Sequence, residues 1–215
     1  MKLYFHKTPG IIKSLFPRVY WDFQAQSTNE IYLTFDDGPN PEATPFVIDQ
    51  LAPYNFKATF FCIGSLVQKH PEIIHRILDN EHSLGNHTYN HLNGWKNSTR
   101  KYIDDVIKCN ASLSTAEELN IFRPPFGKAS ASQLKALRKN YKIIMWDFMI
   151  GDFDNHLNLE RSLRLAIKHL KPGAIVVFHD SAKALPQLKY ILPRYLEASK
   201  MKGFISKAIT KDLFE

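Results

Sequence analysis

From Glu30 onward, short runs rich in β-branched and aromatic residues alternate with longer amphipathic segments. That alternation restricts the chain to parallel strands joined by crossover helices, an α/β fold. About seven such units can be counted from the hydrophobic pattern, with strand runs at 31–35, 58–63, 82–85, 121–123, 142–146, 174–178 and 204–205. Helix signals fill the gaps. Asn40-Pro41-Glu42 supplies a cap, a helix-compatible proline and an acid for a helix towards Leu51, and Pro71 opens another through Ile74 and Leu78. Ser98 starts a long segment with Tyr102, Val106, Leu113 and Leu119 near one face. Asn158 caps 159–170, and Pro193 opens 192–200 before Gly203 ends it.

The residues able to do chemistry fall at or just past the C-terminal ends of these runs. Asp36 and Asp37 follow the first, His87 and His91 the third, Arg123 the fourth, Asp147 and Asp152 the fifth, and His179 the sixth. In a closed α/β barrel those ends form one face, where catalytic groups sit. A distorted, seven-stranded (β/α) barrel is therefore expected, with 1–29 as an N-terminal extension packing on it and 30–215 as the catalytic domain.

Within Thr34-Phe35-Asp36-Asp37-Gly38-Pro39, two adjacent carboxylates end an apolar run, and such a pair needs a compensating partner. His87-Thr88-Tyr89-Asn90-His91 places two imidazoles four residues apart, on one face if the segment takes a helical turn. Two histidines and one carboxylate make a three-ligand set of the kind that leaves a position for water on a catalytic divalent ion. The second carboxylate is then available as a base.

The chain of 215 residues can bury one sizeable core. Its formal net charge of +7 favours anionic partners, but the basic residues are spread along presumed helix faces without a dense block or a nucleic-acid motif, so nucleic-acid binding is not expected. Cys62 and Cys109 sit in apolar or helical patterns with no metal or redox spacing and read as core residues. The segment 1–22 breaks its apolar residues with Lys2, Lys7, Pro9, Gly10, Lys13, Pro17 and Arg18. It lacks the apolar core of an export signal, and no later run is long enough to span a bilayer, which predicts a soluble, cytoplasmic chain. The oligomeric state is left open.

Five motifs in order, 34–39, 87–91, Arg123-Pro124-Pro125-Phe126-Gly127, 146–153 and Val176-Val177-Phe178-His179-Asp180, resemble the polysaccharide deacetylases of the NodB-homology type, carbohydrate esterase family four, over about 30–205. The resemblance implies the NodB type of barrel, with Asp37, His87 and His91 holding the metal and Asp36 as the base. Arg123 would pair with Asp36, His179 would be the general acid, and Asp152 would hold its ring. The Phe126 backbone N–H would stabilise the oxyanion and Val177 would line the acetyl pocket. Phe126 stands where such families often carry Tyr, Phe153 where many carry Trp, and Met149 where many carry Asp; these positions touch the groove wall. Trp95, on a loop past the histidines, is a candidate platform for a sugar face or a rim packing residue, while Trp21 and Trp146 read as packing residues. Asp147 reads as an indirect support for the site or a polar strand end.

The expected activity is hydrolysis of the acetamide of N-acetylated amino sugars in a poly- or oligosaccharide by one divalent metal ion. Zinc is the default for these ligands, with nickel or cobalt compatible. The rivals are a non-sugar amide as substrate of the same fold and a catalytically inactive glycan-binding barrel.

Overall fold

The computed structural model describes residues 5–24, 28–113 and 120–215. In chain order the regular elements are α1 (Gly10–Leu15), β1 (Glu30–Asp36), α2 (Ala43–Leu51), β2 (Ala58–Cys62), α3 (Gly64–Lys69), α4 (Pro71–Asp79), β3 (Ser83–Asn86) and α5 (Thr99–Ser112). They continue with β4 (Ile121–Phe122), α6 (Ala131–Leu137), β5 (Lys142–Ile143), β6 (Phe148–Met149), α7 (Leu159–Lys168), β7 (Ile175–His179), α8 (Leu185–Met201) and β8 (Ile205–Ser206). The strands form one curled parallel sheet in the order β5-β4-β3-β2-β1-β7-β6, the topology of the expected (β/α) barrel.

β1 lies at the centre, and every residue after Glu30 in it is buried, as a strand covered on both faces requires. Phe35 stacks between Phe60 and Phe178 of the neighbouring strands, in a core closed by Val47, Leu51, Ile77, Leu188 and Leu192 from the helices. β8 pairs with the first residues of β1, and Ser206 also accepts the N–H of Lys57, so it sits at the start of both β1 and β2.

The strand expected over 142–146 ends at Ile143. Beyond it, the carbonyls of Ile144 and Met145 accept the Arg123 guanidinium, and Tyr20 bridges Ile144. A separate short strand, β6, follows, which the seven-unit pattern does not include. Within the ladder β5 and β6 do not pair with each other. The N-terminal segment lies against both: Tyr20 exchanges backbone hydrogen bonds with Ile143 and Met145, while Thr8 N–H donates to Asp147 and Met149 N–H to His6. Lys13 reaches the carboxylates of Asp22, at 2.6 Å, and of Asp147.

Most helix signals hold. Ser98 and Asn158 accept backbone N–H groups at their predicted caps, Pro71 opens α4, and Asn40 accepts the N–H groups of Glu42 and Ala43 although α2 begins only at Ala43. Leu119 lies outside the described residues. Pro193 does not open a helix: it sits inside the 17-residue α8, which starts with Pro186 in its first turn. A continuous buried face from Leu185 to Ser199 outweighs the single backbone bond that the proline forfeits.

Candidate functional site

The groups of the site arrive on strand ends. Asp36 is the last residue of β1 and His179 the last of β7, while His87 follows β3, Arg123 follows β4 and Asp152 lies just beyond β6. Parallel order places all of these at one rim.

The histidine segment is not a helical turn. It is an irregular loop in which Thr88 and His91 take left-handed backbone conformations, φ 64° and 55°. Buried Asp105 holds it by accepting the N–H groups of Tyr89 and Asn90 and the Asn90 side chain, and Asn86 accepts the Thr88 N–H. Asp105, on α5, was invisible to motif reading because its role is to satisfy loop amides.

The loop still brings the two rings together. One carboxylate oxygen of Asp37 is 3.0 Å from His91 Nε2 and 3.6 Å from His87 Nε2. Nδ1–H of His87 donates to the Arg123 carbonyl at 2.8 Å, which turns Nε2 towards the carboxylate. These three donors lie within 4.8 Å of one another, and a divalent cation fits this mixed imidazole and carboxylate set. Burial opposes charge on Asp37, but the two rings and the nearby His179 hold its carboxyl well below the usual range.

Asp36 faces a different partner. Arg123 is fully buried; it donates to Asp36 at 2.7 Å, to Thr34 at 2.8 Å and to the Ile144 and Met145 carbonyls, with its guanidinium carbon 4.1 Å from the centre of the Phe61 ring. On the opposite side His179 Nδ1 is 2.7 Å from Asp152 Oδ1, and the other Asp152 oxygen accepts the His179 backbone N–H at 2.9 Å. Burial acts against the imidazolium, yet Asp152, with Asp37 and Asp36, pushes its pKa up to about 9.

A neighbouring carboxyl, present in the 176–180 motif but given no role there, also borders the site. Asp180 is fully buried, accepts the Thr44 hydroxyl at 2.5 Å and abuts Gly38, where an added Cβ would lie 2.1 Å from Asp180 Oδ2. Burial, reinforced by Asp37 and Asp36 and opposed by Thr44, pushes its pKa up to about 7. The Asp-Asp-Gly spacing therefore reflects packing as well as chemistry.

A groove of about 980 Å³ contains Asp36, Asp37, His87, His91 and His179, with Val177, Phe126, Phe153 and Trp95 on its walls. Phe126 packs on His91 at 4.6 Å and has a left-handed backbone, φ 60°; Phe153 meets His179 edge-on at 5.0 Å. Trp95 is 67% exposed at the rim and its indole N–H donates to the Ala129 carbonyl. Trp21 and Trp146, expected only to pack, line the same groove. Asp147 is not among the lining residues: its N–H donates to Ile175 at the start of β7, and Lys13 and Lys171 hold its carboxylate.

The model of the family described as polysaccharide deacetylase matches residues 24–142. The chain belongs to the polysaccharide deacetylase family. Among its relatives, the peptidoglycan-N-acetylglucosamine deacetylase of Bacillus cereus is 32% identical over 196 residues, covering 89% of this chain and 92% of that protein. The chitooligosaccharide deacetylase of Azorhizobium caulinodans is 28% identical over 198 residues, covering 83% and 92%. The solved Bc1960 peptidoglycan N-acetylglucosamine deacetylase, in complex with 4-naphthalen-1-yl-N-oxidanyl-benzamide, superposes with a TM-score of 0.82 at 29% identity, covering 92% of this chain and 94% of that one. For a polysaccharide deacetylase the donor set described here is suited to metal-assisted amide hydrolysis. Among the described residues no helix is long and apolar enough to cross a membrane.

Proposed function

We propose that the protein removes acetyl groups from N-acetylated amino sugars in an oligosaccharide or related glycan. The observation that carries this reading is the pair of separate carboxylate environments: Asp37 faces two imidazoles, while Asp36 faces a buried guanidinium at the same rim. A divalent ion held by Asp37, His87 and His91 would supply acidification of water and polarisation of the amide carbonyl.

Asp36, oriented by Arg123, accepts a proton from the water that adds to the acetamide carbon. His179, protonated and held by Asp152, donates to the amide nitrogen as the C–N bond breaks, so acetate and a free amino sugar leave. The Phe126 N–H serves the developing oxyanion, Val177 receives the methyl group, and Phe153 and Trp95 present faces to the sugar. Zinc is the first choice of ion for this set, with nickel and cobalt as alternatives. Residues 30–215 act as the catalytic unit with 1–29 as an extension along its side, working in the cytoplasm, a placement that cell fractionation tests.

Acetate release from chitooligosaccharides, peptidoglycan fragments and small non-sugar amides, measured with metal analysis of the purified protein, tests the reading. Acetate from the saccharides together with about one bound ion per chain supports it; turnover of the amides alone overturns it.

A further inference from the structure

Four of the eight large apolar side chains exposed among the described residues, Phe5, Ile11, Leu15 and Phe16, lie on the N-terminal segment, at 59%, 72%, 69% and 40% exposure. Helix α1 within it is inside out. Its one charged side chain, Lys13, turns towards the body of the protein and meets Asp22 and the buried carboxylate of Asp147, while Ile11 and Leu15, four residues apart on one face, stand in solvent. A helix lying on a globular domain ordinarily turns its apolar stripe to the core and its charges to water. None of the six residues of α1 is buried. The segment is also held where it lies, because Met149 N–H donates to His6, Thr8 N–H to Asp147, and Tyr20 exchanges bonds with Ile143 and Met145.

Cations accompany this apolar surface. Lys7 bridges Phe148, whose ring packs on His169 at 5.7 Å beside Lys168, and Lys171 reaches Asp147 at 3.0 Å and Asp22 at 3.6 Å. Burial, joined by the charges of Lys7, Lys168 and Lys171 and opposed by Asp147, lowers the pKa of His169. Asp22 and Asp147 are already shared between Lys13 and Lys171. Lys7, Arg18 and Lys168 are exposed, and none of the three pairs with a carboxylate among the described residues.

Exposed apolar side chains next to unpaired cations match an anionic lipid surface, which takes up the first and attracts the second. A second copy of the chain matches less well, because a two-fold contact sets a patch against itself and so brings like charges together. A protein interface of standard size also draws on about 20–30 residues a side, far more than a six-residue helix and its flanks supply. A fluid bilayer asks for no such shape complementarity.

We propose that the N-terminal segment docks the protein on an anionic lipid bilayer, with Phe5, Ile11, Leu15 and Phe16 entering the headgroup boundary and Lys7, Arg18 and Lys168 facing lipid phosphates. Phe5 and Phe16 also line the groove, so the docked site lies beside the membrane surface.

The full chain, without metal or substrate, is mixed with vesicles of phosphatidylcholine alone or of phosphatidylcholine with phosphatidylglycerol, and the bound fraction is read by flotation. Binding to the mixed vesicles is expected to exceed that to the neutral ones at least about tenfold and to fall as salt rises from about 0.1 to about 1 M. Ile11→Gln combined with Leu15→Gln should weaken it by about tenfold or more while leaving the unfolding midpoint in place, since both side chains are exposed. Lys7→Gln combined with Lys168→Gln should weaken binding to the anionic vesicles only. No binding, equal binding to both vesicles, or binding that ignores the apolar pair overturns the proposal. So does a concentration-dependent dimer, seen by light scattering, that the Ile11→Gln and Leu15→Gln pair abolishes, which would give the patch to a second copy. Acetate release is not read, so this outcome is separate from that of the deacetylase reading.

Discussion

Asp36 and His179 are register partners on adjacent parallel strands, the last residues of β1 and β7. Neither occupies a flexible loop: their Cα separation is fixed by the ladder, and their side chains are fixed by separate partners, Arg123 and Asp152. Each of the two groups at this rim is thus held by a partner of its own.

That division gives the first prediction. His87→Ala should strip most of the metal from purified protein, because it removes one of the three donors able to hold an ion. Asp36→Asn should retain the ion and lower kcat by about 10²- to 10⁴-fold. Metal analysis beside acetate release distinguishes them, and the reverse pattern would exchange the two roles.

His179 makes stability depend on pH in a definite direction. Its folded pKa, pushed up to about 9 from an ordinary 6.5, means that the folded state favours the protonated ring. The stabilisation is therefore complete below about pH 6.5 and is lost as pH rises through about 9, a change on the order of 3 kcal/mol in metal-free protein. Urea denaturation across that window should show the decline, and Asp152→Asn should flatten it.

Removing Arg123 should be costly in either conservative or apolar form. Arg123→Met leaves the Asp36 carboxylate buried without its counter-charge, at about 3–5 kcal/mol. Arg123→Lys restores a charge but cannot serve Thr34, Asp36 and two carbonyls from one planar fork. Equilibrium unfolding of both variants should place them well below the parent.

Gly38→Ala should displace the loop that carries Asp37, since its Cβ would fall on the Asp180 carboxylate. A loss of about 1–3 kcal/mol is expected, with reduced metal retention. Combining it with Asp180→Ala should cost less than the sum of the two single changes, because the clashing atoms are gone; strict additivity in a double-mutant cycle would show that they do not interact.

Trp95→Ala should separate binding from folding. Its side chain is largely exposed, so stability should stay within about 0.5 kcal/mol. KM for a chitotetraose substrate should rise about 3- to 10-fold if the indole carries a sugar face; an unchanged KM would leave it a rim residue.

Legibility in the sequence followed the kind of physical signal involved. The strand 31–35 and the caps at Ser98 and Asn158 were readable because a continuous run of β-branched and aromatic residues and a side-chain cap are both local signals. The short strand Phe148–Met149 was not, since its pairing is decided by β7 rather than by a local pattern. Pro193 misled for the same reason: a local breaker was overruled by a long buried face.

By itself the sequence determined the chemistry available, two carboxylates, two imidazoles, an arginine and a final histidine, each at the end of an apolar run. Parallel strand order then leaves them a common rim, because every such run points the same way. Only the tertiary structure decided that an irregular loop held by Asp105 replaces the helical turn, and that Asp180 crowds Gly38. It also placed the N-terminal segment along β5 and β6 as an apolar wall of the groove. Those outcomes depend on contacts between residues far apart in the chain, whose energies no local pattern encodes.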